Sequence, residues 1–322
     1  MVINKPKVIV EVPHRISGFF EIVDEKNGKL IENPVEIGSR GAGFNVNAVG
    51  KTIISYKELD ISEESKCKIF INNKEVNQSA ETTNFIFDYV KSLINNSVDV
   101  KIKHFFDLPV GCGFGSSGSG ALGTIFGLNK LFSLKLSFKE QGKIAHISEV
   151  VNRTGLGTVC GQLGRGLCVL KEPGYPCAYE RIETPNNLDV ICGSFGTIQT
   201  KSILSDPLLK LNIKNAGSMA LKKLQMKPNV KNFIKASIFF VIKSKIREAL
   251  GLEEIIEVMD SLNKTKIIGA SMNQLGRSVY AFCNKSNANA VLDILESYKP
   301  EIQIYNLRIN KANSIKFNII NN

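Results

Sequence analysis

The stretch Pro109–Leu122, "PVGCGFGSSGSGAL", decides how this chain is read. It holds five glycines, three serines and no lysine. The run before it, "SVDVKIKHFFDLPVG", alternates as a strand does and then stops. After it, Ala121, Ile125, Leu128 and Phe132 form one apolar helical stripe. A strand, a glycine-serine turn and a helix N-terminus together make an anion cradle. Glycine permits positive φ and close backbone approach, and the first-turn N–H groups point out of the helix. Ser116, Ser117 and Ser119 add hydroxyls for phosphate oxygens or a hard cation. The missing lysine excludes a Walker A loop. Gly113–Gly118 fits G-x-G-x-x-G, but the dinucleotide fold then needs a second parallel strand with an acid about 20 residues on. Here a second helix follows, opened by Ser137 and Glu140 at capping-box spacing. The lysine and catalytic-loop signatures of protein kinases are also missing.

Outward from the loop, residues 7–12 read as a strand, Asn27-Gly28 as a hairpin turn and residues 38–43 as a loop. Two strands follow within 51–71 and a helix at 80–95. A second glycine-rich stretch, "TGLGTVCGQLGRG", covers 154–166, and "LCVLKEPG" reads as a strand ending in a turn. "TPNNL" at 184–188 reads as a domain seam, dividing the chain into 1–185 and 186–322. Beyond it come a strand, a helix-rich segment at 206–263, two strands in "TKIIGASMNQLGRSVYAFC", a helix at 286–298 and strands near 301–307 and 314–319.

Composition narrows the function classes. The chain has 322 residues, 43% apolar and 22% charged, which is ordinary for a soluble protein. No apolar run approaches the ~18 residues of a bilayer span, and residues 1–12 lack a signal peptide's long apolar region. The cytoplasm is the expected location. Seven cysteines without a CxxC pair read as free buried thiols, and three scattered histidines form no metal-ligand spacing. The net charge of +11 raises nucleic acid as a partner. However, the densest lysine run, 222–245, alternates with apolar residues like a solvated helix face, and no RNP-like motif or zinc-finger spacing occurs. The charge suits an anionic small substrate equally well. Neither a nucleic-acid nor a membrane partner is expected, and a homodimer is compatible with the sequence.

The loop resembles the second signature of the GHMP kinase superfamily, P-x-x-x-G-x-[GS]-S-S-[AGS], through Pro109, Gly113, Gly115, Ser116 and Ser117. Four further stretches are similar to the archaeal pantoate kinase branch. They are "VPHRISGFFEI", "GSRGAGFNV", "GSFGTIQTKSIL" and "ASMNQLGRSVYAF". With "TGLGTV" these anchors span residues 12–282. The resemblance implies an α+β, two-domain fold, with a ribosomal S5-like N-terminal domain and a ferredoxin-like C-terminal domain. It implies MgATP-dependent phosphorylation of pantoate to 4-phosphopantoate on the archaeal route to coenzyme A. Another small hydroxylated anion as acceptor, or a catalytically impaired binding protein, are the alternatives.

The resemblance also distributes roles. Pro109, Gly111, Gly113, Gly115, Ser116, Ser117, Gly118 and Ser119 would bind ATP. Ser117 and Glu149 match the superfamily's magnesium ligands, with Ser119 an alternative if the loop aligns with a slip. A carboxylate and a hydroxyl suit a hard cation. Arg40, with Ser39 and Gly41, is the expected grip for the acceptor carboxylate, because a guanidinium fork fits one. Ser17 joins them from the first motif. The family's G-L-G-D, whose aspartate would be the base, reads Gly155-Leu156-Gly157-Thr158 here. Threonine does not accept a proton at neutral pH, so Thr158 marks a departure at a catalytic position. Arg15, Arg165 and Lys171 add positive groups expected around the acceptor.

Overall fold

The computed structural model describes residues 7–198, 206–312 and 315–320. Its first unit is built on two long strands, β1 (Lys7–Val23) and β4 (Gly38–Glu58). Between them Asn27 and Gly28, both at positive φ, turn a small hairpin of β2 (Glu25–Lys26) and β3 (Lys29–Leu30), as expected for Asn-Gly. β1 and β4 pair antiparallel, and the register shifts twice, between Pro13 and Arg15 and between Ser17 and Phe19. Such bulges bend a strand and re-aim its side chains. Residues 38–43, expected as a loop, are the start of β4. Gly41, Ala42 and Gly43 lie between β1 and a later strand, so the small residues mark close packing rather than a turn.

β5 (Lys66–Ile71) and β6 (Lys74–Glu75) precede α1 (Glu81–Lys91), which crosses over to β7 (Val98–Phe106). β5 and β7 are parallel, as a helical crossover requires. Then come α2 (Ser116–Phe132), α3 (Phe138–Val151) and α4 (Thr158–Gly164). β8 (Leu167–Leu170) and β9 (Tyr179–Ile182) close the unit. Ser137 and Glu140 form the expected capping box of α3. α2 lies against the sheet because glycine lets it: a Cβ on Gly123 would sit 2.2 Å from Thr52 Oγ1. Its apolar stripe, with Ala121, Ile125 and Leu128 fully buried, packs on Val10, Ile54 and Ile102.

The second unit is a four-stranded sheet made of β10 (Leu188–Gly196), β11 (Gly269–Asn273), β12 (Arg277–Asn284) and β13 (Gln303–Arg308). Its order is β11-β12-β10-β13. The helices are α5 (Pro207–Met226), α6 (Val230–Lys243), α7 (Ile246–Leu250), α8 (Glu253–Asn263) and α9 (Ala288–Glu296). The T-K of the "GTIQTKSIL" motif falls outside the described residues. The last strand, β14 (Lys316–Ile320), leaves this sheet and pairs with β1, so the first sheet runs β14-β1-β4-β7-β5-β6, with β8 on β4 and β9 on β8.

The two units share one core. Phe44 of β4 meets Phe282 at 4.9 Å and Tyr280 at 5.2 Å between ring centroids, and Phe19 of β1 reaches Phe233 of α6. The upper halves of β1 and β4, with their bulges, therefore lie in the crevice between the units. One expectation is corrected: Cys160 and Cys177 form a disulfide, because α4 brings Cys160 beside the loop after β8. The other five cysteines are free, four of them buried. Among the described residues no helix is long and apolar enough to cross a membrane.

Candidate active site

The glycine loop folds as a cradle. Gly111, Gly113 and Gly115 all take positive φ, at 79°, 84° and 70°. Gly115 is the N-cap of α2 and offers no side chain to its N–H groups. The first helical bond runs from Ser119 N to Gly115 O, so the N–H groups of Ser116, Ser117 and Gly118 have no partner within the helix. They are left for an anion, where the helix dipole favours one. The loop is pinned on both sides. Arg15 N and His14 Nδ1 donate to Phe114 O, at 3.0 and 2.9 Å. From the second unit, Ser278 Oγ and Asn273 Nδ2 donate to Cys112 O, at 2.6 and 3.3 Å. Burial pushes the His14 imidazole down to about 4, so it is neutral and structural. The loop lines a cleft of about 320 Å³.

Glu149, 1% exposed on α3, lines neither cavity and lies behind Ser117, Thr154 and Thr158, which do. Thr154 Oγ1 donates to its Oε1 at 2.9 Å, while Oε2 has no hydrogen-bond partner. Burial raises its pKa, opposed by the hydroxyls of Ser117, Thr154 and Thr158. Gly155 makes this niche possible, since a Cβ there would lie 2.2 Å from Glu149 Oε2 and 2.8 Å from Thr158 Oγ1. A buried carboxylate oxygen without a donor, beside three hydroxyls, is a donor set for a hard cation. Among the described residues no three His, Cys, Asp or Glu cluster as a metal site.

A smaller cavity of about 50 Å³ adjoins the cleft. Arg15, Ser17, Thr158, Gln274 and Leu275 line both. Ser39, Arg40 and Gly41 line the small cavity together with Phe19, Phe20, Leu156 and Leu170. The lining thus mixes polar and apolar side chains. The Arg40 fork is already engaged: Nη2 and Nε donate to Glu21 at 2.8 and 3.1 Å, across the β1–β4 register.

The glycine loop and the motifs around Arg15, Arg40, Thr158 and Gln274 thus converge on two adjoining cavities, while the described part of "GSFGTIQTKSIL" lines neither and bonds the loop through Ile198 N on Gly111 O. Ser117 lines the cleft, whereas Ser119 Oγ donates to Val12 O. Two basic residues expected at the acceptor lie elsewhere. Lys171 pairs with Glu180 at 3.3 Å on the surface, and Arg165 lines a separate open pocket with Arg181 and Lys311. Arg15 does reach both cavities, but the residue is only 3% exposed and its Nη1 donates to Gly161 O of α4 at 3.1 Å. Sequence reading missed Arg153, Thr154, Gln274 and Leu275. The first two follow the apolar stripe of α3 directly, and the last two lie inside the quoted "SMNQLG", so their motifs were visible but not their direction.

Comparison with known proteins follows the same lines. Residues 81–162 match the family model described as the GHMP kinases N terminal domain. The chain is 32% identical to pantoate kinase of Methanocaldococcus jannaschii over 88% of its own length and 96% of that protein's. It is 28% identical to pantoate kinase of Thermococcus kodakarensis, over 88% and 90%. A solved structure described as a phosphotransferase related to the CoA biosynthesis pathway superposes with a TM-score of 0.83 at 25% identity, covering 97% of this chain and 98% of the other.

Proposed function

The chain belongs to the pantoate kinase family of the GHMP kinases, and on that premise we propose that it transfers the γ-phosphoryl group of ATP to a hydroxyl of pantoate, giving 4-phosphopantoate for coenzyme A biosynthesis. The observation that carries this reading is the pair of adjoining cavities with a shared wall. The larger has a glycine cradle with free N–H groups, and the smaller combines Ser39 and Arg40 with Phe19, Phe20, Leu156 and Leu170. Pantoate combines the same two characters, a carboxylate with hydroxyls and a gem-dimethyl group. A coupled assay over short hydroxy acids tests it: ADP release should depend on pantoate far more than on acids lacking the dimethyl carbon.

Phosphoryl transfer asks mainly for positioning and charge stabilisation. The N–H groups of Ser116, Ser117 and Gly118 would hold phosphate oxygens. Glu149 Oε2 and Ser117 Oγ fit Mg²⁺, and the orphaned carboxylate oxygen supports that assignment. When bound, Mg²⁺ would neutralise charge on the β- and γ-phosphate oxygens. Arg40, held at its angle by Glu21, has Nη1 left for the acceptor carboxylate, with Ser39 Oγ and Ser17 Oγ beside it. Thr158 Oγ1 lies at the wall between donor and acceptor and would orient the acceptor hydroxyl. A loose transition state leaves the hydroxyl proton in place until late, so a carboxylate at 158 is not required to start the transfer.

The domain division at 185/186, cytoplasmic action and a homodimer belong to the same proposal. The seam joins two separate sheets, and ATP as donor supports a cytoplasmic site. β14 is an edge strand with Phe317, Ile319 and Ile320 exposed, which supports self-association. Sedimentation tests the dimer.

A further inference from the structure

We propose that Gln162 is a positioning residue that locks the nucleotide loop to the acceptor wall. The proposal rests on the ATP-site reading above and goes beyond it, since Gln162 lines neither cavity. Its side chain is 0% exposed. Nε2 donates to two carbonyls at once, Pro13 O and Gly115 O, both at 2.9 Å. Pro13 borders the first register shift of β1, and Gly115 is the N-cap of α2, whose carbonyl also receives the first helical bond. The orientation of the amide is forced, because the reverse assignment would press its oxygen on two carbonyls. Oε1 is therefore left without a partner, and it faces Gly118, where a Cβ would lie 2.6 Å away. A buried orphan acceptor is costly and needs a compensating reason. The reason offered here is control of the loop. The Gly115 carbonyl and the Ser116 N–H share one trans peptide plane and point opposite ways, so holding that carbonyl inward aims that N–H at the phosphates.

The same residue belongs to α4, whose first residue is Thr158. α4 is itself fastened from below, by Arg15 Nη1 on Gly161 O and Asn45 Nδ2 on Gln162 O. Gly161 has no side chain to spare: a Cβ would lie 2.0 Å from Arg15 Nε. The bonds through Gln162 therefore join the floor of the donor cleft to the helix that walls the acceptor cavity.

Gln141 provides a matched comparison. It is 5% exposed, its Nε2 donates to Leu136 O and Ser137 O at 2.8 and 3.2 Å, and its Oε1 is also unpartnered. It lies at the start of α3, outside both cavities. Gln162→Leu and Gln141→Leu thus remove the same chemistry from two places. The measurement is the dissociation constant of a non-hydrolysable ATP analogue, with the KM for pantoate beside it. Gln162→Leu should weaken the analogue at least about tenfold and raise the pantoate KM, while Gln141→Leu stays within about twofold of wild type. Equal effects of the two variants would overturn the role. Failure of wild type to bind the analogue would instead remove the ATP reading itself. If Gln162→Leu does not fold, hydrogen exchange on wild type decides. The analogue should slow exchange across Gly161–Gly164, which line no nucleotide surface, and unchanged exchange there would overturn the proposal.

Discussion

The Arg40 guanidinium and the Glu21 carboxylate face each other across the β1–β4 pair and share two hydrogen bonds. Glu21 is 8% exposed at its side chain and Arg40 34%. The pair is half-buried, so its worth lies in geometry more than in stability. Glu21→Gln should release the guanidinium from its angle and raise the pantoate KM about tenfold, one charge-assisted hydrogen bond, with the ATP KM unchanged. An unaltered pantoate KM would separate Arg40 from the acceptor. Arg40→Lys should behave like the loss of the fork, because an ammonium cannot make both bonds.

Glu149 is buried, and the cation site proposed for it needs its charge. Its pKa is raised, so the apo fold favours the protonated form. Stability from this group is full below the unfolded carboxylate pKa and is lost as pH rises through the folded one. Glu149→Gln should therefore raise the melting temperature of the apo protein at neutral pH while lowering kcat by at least about 10²-fold. Calorimetry and steady-state rates on one preparation check both halves. Binding of a cation needs the ionised form, so magnesium-dependent activity should fall off on the acid side at a higher pH than an exposed glutamate would give.

Thr158 lies beside that carboxyl. Thr158→Val keeps the volume and loses the hydroxyl, and kcat should drop roughly tenfold, at the low end of what a positioned proton-handling group contributes. Thr158→Asp sets a second carboxyl against Glu149. Like charges raise one pKa of a pair, so the acid limb of the pH–rate profile should move upward. An unmoved limb would mean that the two side chains do not interact.

The Cys160–Cys177 disulfide closes a separation of 17 residues and ties α4 to the loop after β8. Its removal by Cys177→Ser should destabilise the protein by about 3 kcal/mol on the loop-entropy estimate. Denaturant unfolding with and without reductant measures it. Equal stability in both would show that the link contributes nothing to the fold.

Local signals were legible in the sequence, and pairings across the chain were not. The glycine loop, the Ser137–Glu140 box and the Asn27-Gly28 turn each act within a few residues, so composition and spacing sufficed. Residues 38–43 misled because small residues serve tight strand packing as well as turns. The Cys160–Cys177 bond and the return of β14 to β1 depend on contacts made only after both units form. Arg15, Arg165 and Lys171 show the same limit. Charge told that they were basic, and only the fold told that one is buried under α4 and two point away from the site.

The most direct measurement is phosphorus NMR of the reaction of the purified protein with MgATP and pantoate. One phosphomonoester of pantoate should form for each ADP released, with neither appearing when pantoate is omitted. ADP release that ignores pantoate, or a phosphoryl group found on another hydroxy acid while pantoate stays unchanged, would contradict the reading.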